Sequence, residues 1–107
     1  MSYDKLRRKI KQFPRVSTRP MFGYECFSVD GKFFVGLSKK KNYEVIIRLP
    51  KDEQRNAVKN KGIKPFSHGG RAGWIEINTK LVTIDTTFRW VKIGYANALT
   101  LSKQSKK

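Results

Sequence analysis

Apolar residues first recur at Tyr3, Leu6, Ile10 and Phe13, a helical spacing that gives residues 3–13 one apolar face. Ser2 can cap this helix and Asp4 suits the positive end of its dipole. Pro14 stops it, because the residue before a proline avoids helical angles. The period then falls to two. Residues 24–37 read as a β-hairpin around Asp30-Gly31, a pair suited to the two positive φ angles of a type I′ turn. That turn sets Phe27 opposite Phe34, Cys26 opposite Val35 and Tyr24 opposite Leu37. Tyr24, Cys26, Phe33, Val35 and Leu37 then share one sheet face, and Phe27, Val29 and Phe34 share the other. Both faces are apolar, so both are expected to be at least partly covered.

A third strand follows over residues 43–49, with Tyr43, Val45, Ile47 and Leu49 on one side. Pro50 can open a short helix, with Asp52 and Glu53 in its first turn and Gly62 suited to its end. Its apolar face, Ala57 and Val58, is thin. Residues 63–66 are extended and 67–73 form a loop. Residues 74–79 alternate again, with Ile75 and Ile77 opposite Trp74 and Glu76. The longest helix spans about 85–101, capped by Asp85, with Phe88, Val91, Tyr95, Ala98 and Leu99 as its core stripe and Trp90 off it. Residues 102–107 read as a frayed basic tail. The expected fold is α+β: one domain over 1–107, with an antiparallel sheet of about four strands. N-terminal and C-terminal helices pack on the sheet, and a short helix lies between the third and fourth strands.

Charge changes this picture more than composition does. At 107 residues with 38% hydrophobic and 12% aromatic content, the chain can build one modest core and is not disordered. Its 24 Lys and Arg face only 8 Asp and Glu, a net charge of +16. Solubility needs far less than that, and a polyanion is the natural counterpart, since phosphates release condensed counterions when cations bind them. A generally basic, solvated surface is the alternative. Cys26 is the only cysteine, so no internal disulfide can form. No secretory leader and no membrane-length apolar run is legible, and the cytoplasm is the expected compartment.

Three stretches offer contact surfaces. The N-terminal segment carries Lys5, Arg7, Arg8, Lys9, Lys11, Arg15 and Arg19 with only Asp4 opposing; Arg7, Arg8 and Lys11 share a helical face that could track phosphates or simply be solvated. Lys39, Lys40 and Lys41 form a second cluster at a turn, with a turn made soluble by lysine as the alternative to a contact surface. The loop Ser67-His68-Gly69-Gly70-Arg71-Ala72-Gly73 could turn backbone N–H groups and Arg71 onto an anion, or be a connector that needs positive φ. It lacks the Walker and dinucleotide patterns. Trp74, just after it, could stack on a base or pack on the sheet. The lone His68 and Cys26 show no catalytic or zinc-binding pattern, and no cofactor is expected.

The ordered set Met21-Phe22-Gly23, Val29-Asp30-Gly31-Lys32-Phe33-Phe34, Gly62-Ile63-Lys64-Pro65-Phe66 and Gly70-Arg71-Ala72-Gly73-Trp74, with Trp90, Tyr95, Ala98 and Leu99 in a last helix, resembles the N-terminal domain of the TfoX/Sxy regulators of bacterial competence over roughly residues 5–102. The resemblance implies an α+β sheet domain with no established catalytic residues. Full-length members carry a second, DNA-binding-like domain; a stand-alone version without it is expected here. The leading functional expectation is a non-enzymatic nucleic-acid-binding or regulatory module. A protein-interaction adaptor is the alternative, and an enzyme acting on a phosphorylated ligand at the glycine loop is a third.

Overall fold

The computed structural model describes residues 3–38 and 44–105. In chain order the elements are α1 (Tyr3–Lys11), β1 (Val16–Met21), β2 (Tyr24–Val29), β3 (Lys32–Ser38), β4 (Glu44–Arg48), α2 (Lys51–Ala57), β5 (Ile63–Pro65), β6 (Trp74–Ile77) and α3 (Ile84–Ser105). The strands form one antiparallel sheet in the order β1-β2-β3-β4-β6-β5. It therefore has six strands rather than about four, and α2 lies between the fourth and fifth.

The first strand escaped the sequence reading for physical reasons. Its residues, Val-Ser-Thr-Arg-Pro-Met, are mostly exposed, and Pro20 cannot donate to a ladder. Both features are tolerated because β1 is the sheet's edge. Its turn, Phe22-Gly23, takes the same pair of positive φ angles (55° and 84°) as Asp30-Gly31 (50° and 79°), but with a residue type that rarely adopts them.

The β2–β3 register starts as expected, with Val29 opposite Lys32, and then steps. Ser28 faces Phe33 while Phe27 faces Val35, so Phe34 is the extra residue of a bulge. The step overturns the expected Phe27–Phe34, Cys26–Val35 and Tyr24–Leu37 pairs. It also turns Phe34 and Val35 to the same face, and both are fully buried there.

That face carries the main core. Phe27, Val29, Val45, Ile47, Ile75 and Ile77 meet Leu6 and Ile10 of α1, Ala57 of α2 and Val91 and Ala98 of α3. Each large side chain buried this way contributes about 1.5–3 kcal/mol. Phe13 joins the layers. It stacks on Tyr95 at 4.4 Å and Phe88 at 5.6 Å, and meets the edge of Phe34 at 6.2 Å. The Tyr95 hydroxyl donates to the Pro14 carbonyl at 2.8 Å. α3 lies close enough to the sheet that a Cβ on Gly94 would stand 2.8 Å from Ile47 Cγ2.

Two expectations for α3 change. Thr83 rather than Asp85 caps it, through Thr83 Oγ1 accepting the Thr86 N–H at 3.1 Å. Residues 102–105 are helical rather than frayed. Ser102 is buried and donates to Asp30 Oδ2 at 2.9 Å, which ties the last turns to the β2–β3 hairpin. Trp90 packs against the main core despite lying off the expected stripe. No helix of the described residues is long and apolar enough to cross a membrane.

Candidate nucleic-acid interface

The sequence placed its main basic cluster on α1, and the structure divides that cluster. Leu6 and Ile10 turn inward, which leaves Lys5, Arg8 and Lys11, three residues apart, on an exposed outer ridge beside Asp4. Arg7 does not share this ridge. Its guanidinium forks onto Glu25 of β2, with Nε to Oε1 at 2.7 Å and Nη2 to Oε2 at 2.9 Å. Arg15 pairs with Asp30 at 3.1 Å. Both serve the fold first. Arg19 stands on the edge strand β1, directly across from Cys26. Lys39, Lys40, Lys41 and Tyr43 lie outside the described residues, as does the expected Ser2 cap.

A second element joins the ridge, one that sequence spacing did not reveal. Lys9 of α1 and Lys92 of α3 both lie over the Phe88 ring, at 5.1 and 5.5 Å from its centroid. Arg89 is exposed one residue beyond. Cations from two helices thus gather around a single aromatic ring. The docking of α3 beside α1 depends on the Phe13–Phe88–Tyr95 stack, which joins residues far apart in the chain.

The glycine loop turns several of its N–H groups onto its own carbonyls. Gly70–Ala72 forms a single 3₁₀ turn, and the N–H groups of Gly69, Ala72, Gly73 and Trp74 bond to carbonyls of Phe66, Gly69 and Gly70. Gln54, buried in α2, fixes the loop from behind by donating to the carbonyls of Gly70 at 2.7 Å and Trp74 at 3.1 Å. Gly73 is obligatory. Its φ is +99°, and a Cβ there would stand 2.1 Å from the Leu49 carbonyl oxygen. Arg71 is exposed on this loop beside β6, four strand spacings from β1, or roughly 19 Å across the sheet. Arg71 and the α1 ridge therefore stand apart.

The loop instead builds the sheet's other face. None of the three helices contributes to it. Tyr24, Cys26 and Ile46 form its buried floor, and Met21, Phe33, Phe66 and Trp74 pack around them as half-exposed walls. The result is a groove of about 520 Å³, with Phe22, 90% exposed, at one rim and His68 at the other. Trp74 therefore occupies the open face, on the opposite side of β6 from Ile75 and Ile77, as the alternation implied. Burial pushes the Cys26 thiol up, so its thiolate form is scarce at neutral pH.

Beyond Tyr24 lies an acidic spot on this face. The Tyr24 hydroxyl donates to Glu44, and burial followed by that bond pushes the phenol's pKa upward. Glu76 is also pushed up, first by burial and then by the Glu44 charge, with Lys64 at 3.8 Å opposing the rise. Among the described residues, no three of His, Cys, Asp and Glu gather as they would around a metal ion.

Fold and surface together define a small α+β domain, helices on one face of an antiparallel sheet and an aromatic groove on the other. The profile of the TfoX N-terminal domain family matches residues 8–98, and the chain belongs to that family. No curated protein matches the sequence significantly.

Proposed function

We propose that this domain works by binding rather than catalysis, and that it holds nucleic acid through its phosphates. One observation carries the reading: in a chain of net charge +16, Lys9 of α1 and Lys92 of α3 meet over Phe88, while Lys5, Arg8 and Lys11 of α1 and Arg89 of α3 stand exposed on the same two helices. Among the described residues, ion pairs with carboxylates engage Arg7, Arg15 and Lys64 and none of these six. Such a patch follows a phosphate backbone without reading bases, so binding is weakly sequence-selective and strongly salt-dependent. The Cys26 thiol, buried and protonated, suits a packing role.

The test is a salt titration of binding to duplex DNA, single strands and structured RNA. Lys5→Glu/Arg8→Glu/Lys11→Glu is compared with a reversal of two lysines remote from the ridge, Lys59→Glu/Lys61→Glu. The ridge variant is expected to lose affinity across all sequences and to flatten the salt slope by about one unit per phosphate contact removed. The remote variant should lose much less. Absence of binding at low salt, or equal losses per charge reversed in the two variants, overturns the reading.

A further inference from the structure

The groove on the helix-free face has no part in phosphate tracking by the ridge, which belongs to the opposite side of the sheet. Its lining is aromatic rather than aliphatic. Tyr24, Phe33, Phe66 and Trp74 surround Cys26 and Ile46, and among the described residues no carboxylate lines the groove itself, Glu44 and Glu76 lying beyond Tyr24. Phe66 meets the edge of Tyr24 at 6.0 Å, which holds the connector over the sheet. A Cβ on Gly69 would stand 2.8 Å from Trp74 Cδ1, so one side of the indole rests against the loop backbone while another borders the groove. The turn that carries Phe22 puts this phenylalanine at φ +55° and leaves it 90% exposed. Packing within the domain explains neither.

Charge at the borders indicates the occupant. Residues directly opposite in an antiparallel ladder share a face. Arg19 is opposite Cys26 and Arg48 is opposite Trp74, so both arginines stand on the groove's face. β1 and β4 place them three strand spacings apart, roughly 14 Å across the sheet. Arg48 is steadied by its Nε donating to the Ala72 carbonyl at 3.1 Å, and no described carboxylate pairs with either arginine. An aromatic floor between two cations matches flat apolar rings joined by anionic links. We infer that this groove takes unpaired bases of a single strand, stacked on Phe33 and Trp74 with Phe22 closing from the rim, while Arg19 and Arg48 hold flanking phosphates. The inference rests on the nucleic-acid reading above and deepens it, since the domain would then prefer unpaired strands to duplex.

The decisive comparison uses the unaltered protein with two labelled oligonucleotides of equal length, one base-bearing and one abasic, beside a duplex of the same sequence. The abasic strand keeps every phosphate and offers nothing to stack. The base-bearing strand is expected to bind at least tenfold more tightly than the abasic one, on the scale of a stacked base. Phe22→Ala, whose side chain supports no packing, and Phe33→Ala should each shrink that ratio and leave duplex affinity and its salt slope unchanged. Equal affinity for both strands overturns the groove inference alone, because the salt-dependent reading survives it. Failure of all three ligands to bind at low salt overturns both. Binding of an apolar peptide at the groove, with Trp74 fluorescence in a Trp90→Phe background unmoved by the base-bearing strand, would assign the face to a protein partner and overturn the inference.

Discussion

Phe33 and Phe34 are neighbours on β3, yet they end on opposite faces of the sheet and in opposite circumstances. Phe34 is fully buried among Phe13, Tyr95 and the strands beneath α3, whereas Phe33 is a half-exposed wall of the open groove. One face is closed by three helices, and the other, among the described residues, by the connector that carries Phe66. Strand alternation supplied apolar side chains to both, but helices cover one. The closed face shows what apolar residues do when the chain can bury them. The open face keeps four aromatic side chains within reach of solvent, and that is where a ligand rather than the fold can complete the burial.

The sharpest way to break this comparison is to truncate each phenylalanine. Phe34→Ala should cost about 3–5 kcal/mol in urea unfolding, whereas Phe33→Ala should cost about 1 kcal/mol. Equal costs would mean that the open face is core after all. Next in size is the strut beneath the groove. Gly73→Ala combines a left-handed φ of +99° with a clash on Leu49, so a loss of about 2–4 kcal/mol is expected. Gly31→Ala, at φ +79° with nothing within 4 Å of the new Cβ, should lose about 1–2 kcal/mol.

Gln54→Ala removes one donor from each of the Gly70 and Trp74 carbonyls, which keep the Gly73 and Phe66 N–H groups, and should cost about 1 kcal/mol; it should also loosen the groove wall, read as a shift in Trp74 emission in a Trp90→Phe background. On the closed side, a double-mutant cycle on Arg7 and Glu25 should give a coupling of only about 0.2–1 kcal/mol despite the forked geometry, because both side chains are partly solvated.

The smallest expected effect is a pH dependence. Glu76 binds its proton more tightly in the fold than in the unfolded chain. Its contribution is therefore most favourable below the ordinary glutamate range and is lost as pH rises through the raised value. Glu76→Gln should make the protein slightly more stable at neutral pH and change little in acid. Denaturant midpoints at the two pH values check the sign.

The elements that could be read from sequence were those whose own residues declared them: the α1 stripe, the Asp30-Gly31 hairpin, the alternation of Trp74 to Ile77 and the long last helix. What escaped depended on partners far away in the chain. β1 is polar and holds a proline because it is an edge. The bulge at Phe34 depends on how β3 packs under α3 and leaves no local mark. Arg7 and Arg15 looked like free cations until the fold brought Glu25 and Asp30 to them. Trp74 was legible as the outward residue of its strand, but the groove around it needs Met21 and Phe22 from one hairpin and Phe66 from a loop over 40 residues later. The Lys9–Phe88–Lys92 junction likewise joins the first helix to the last.

The most direct test of the account is an amide chemical-shift titration of the isotope-labelled protein with a short single-stranded oligonucleotide at low salt. Two separate sets of shifted residues are expected: one along the outer ridge of α1 and the adjoining turn of α3, the other on the open face around Phe22, Phe33 and Trp74. An abasic strand should retain the first set and lose the second. Shifts confined to α2 and β5, or no shifts at all, would contradict it.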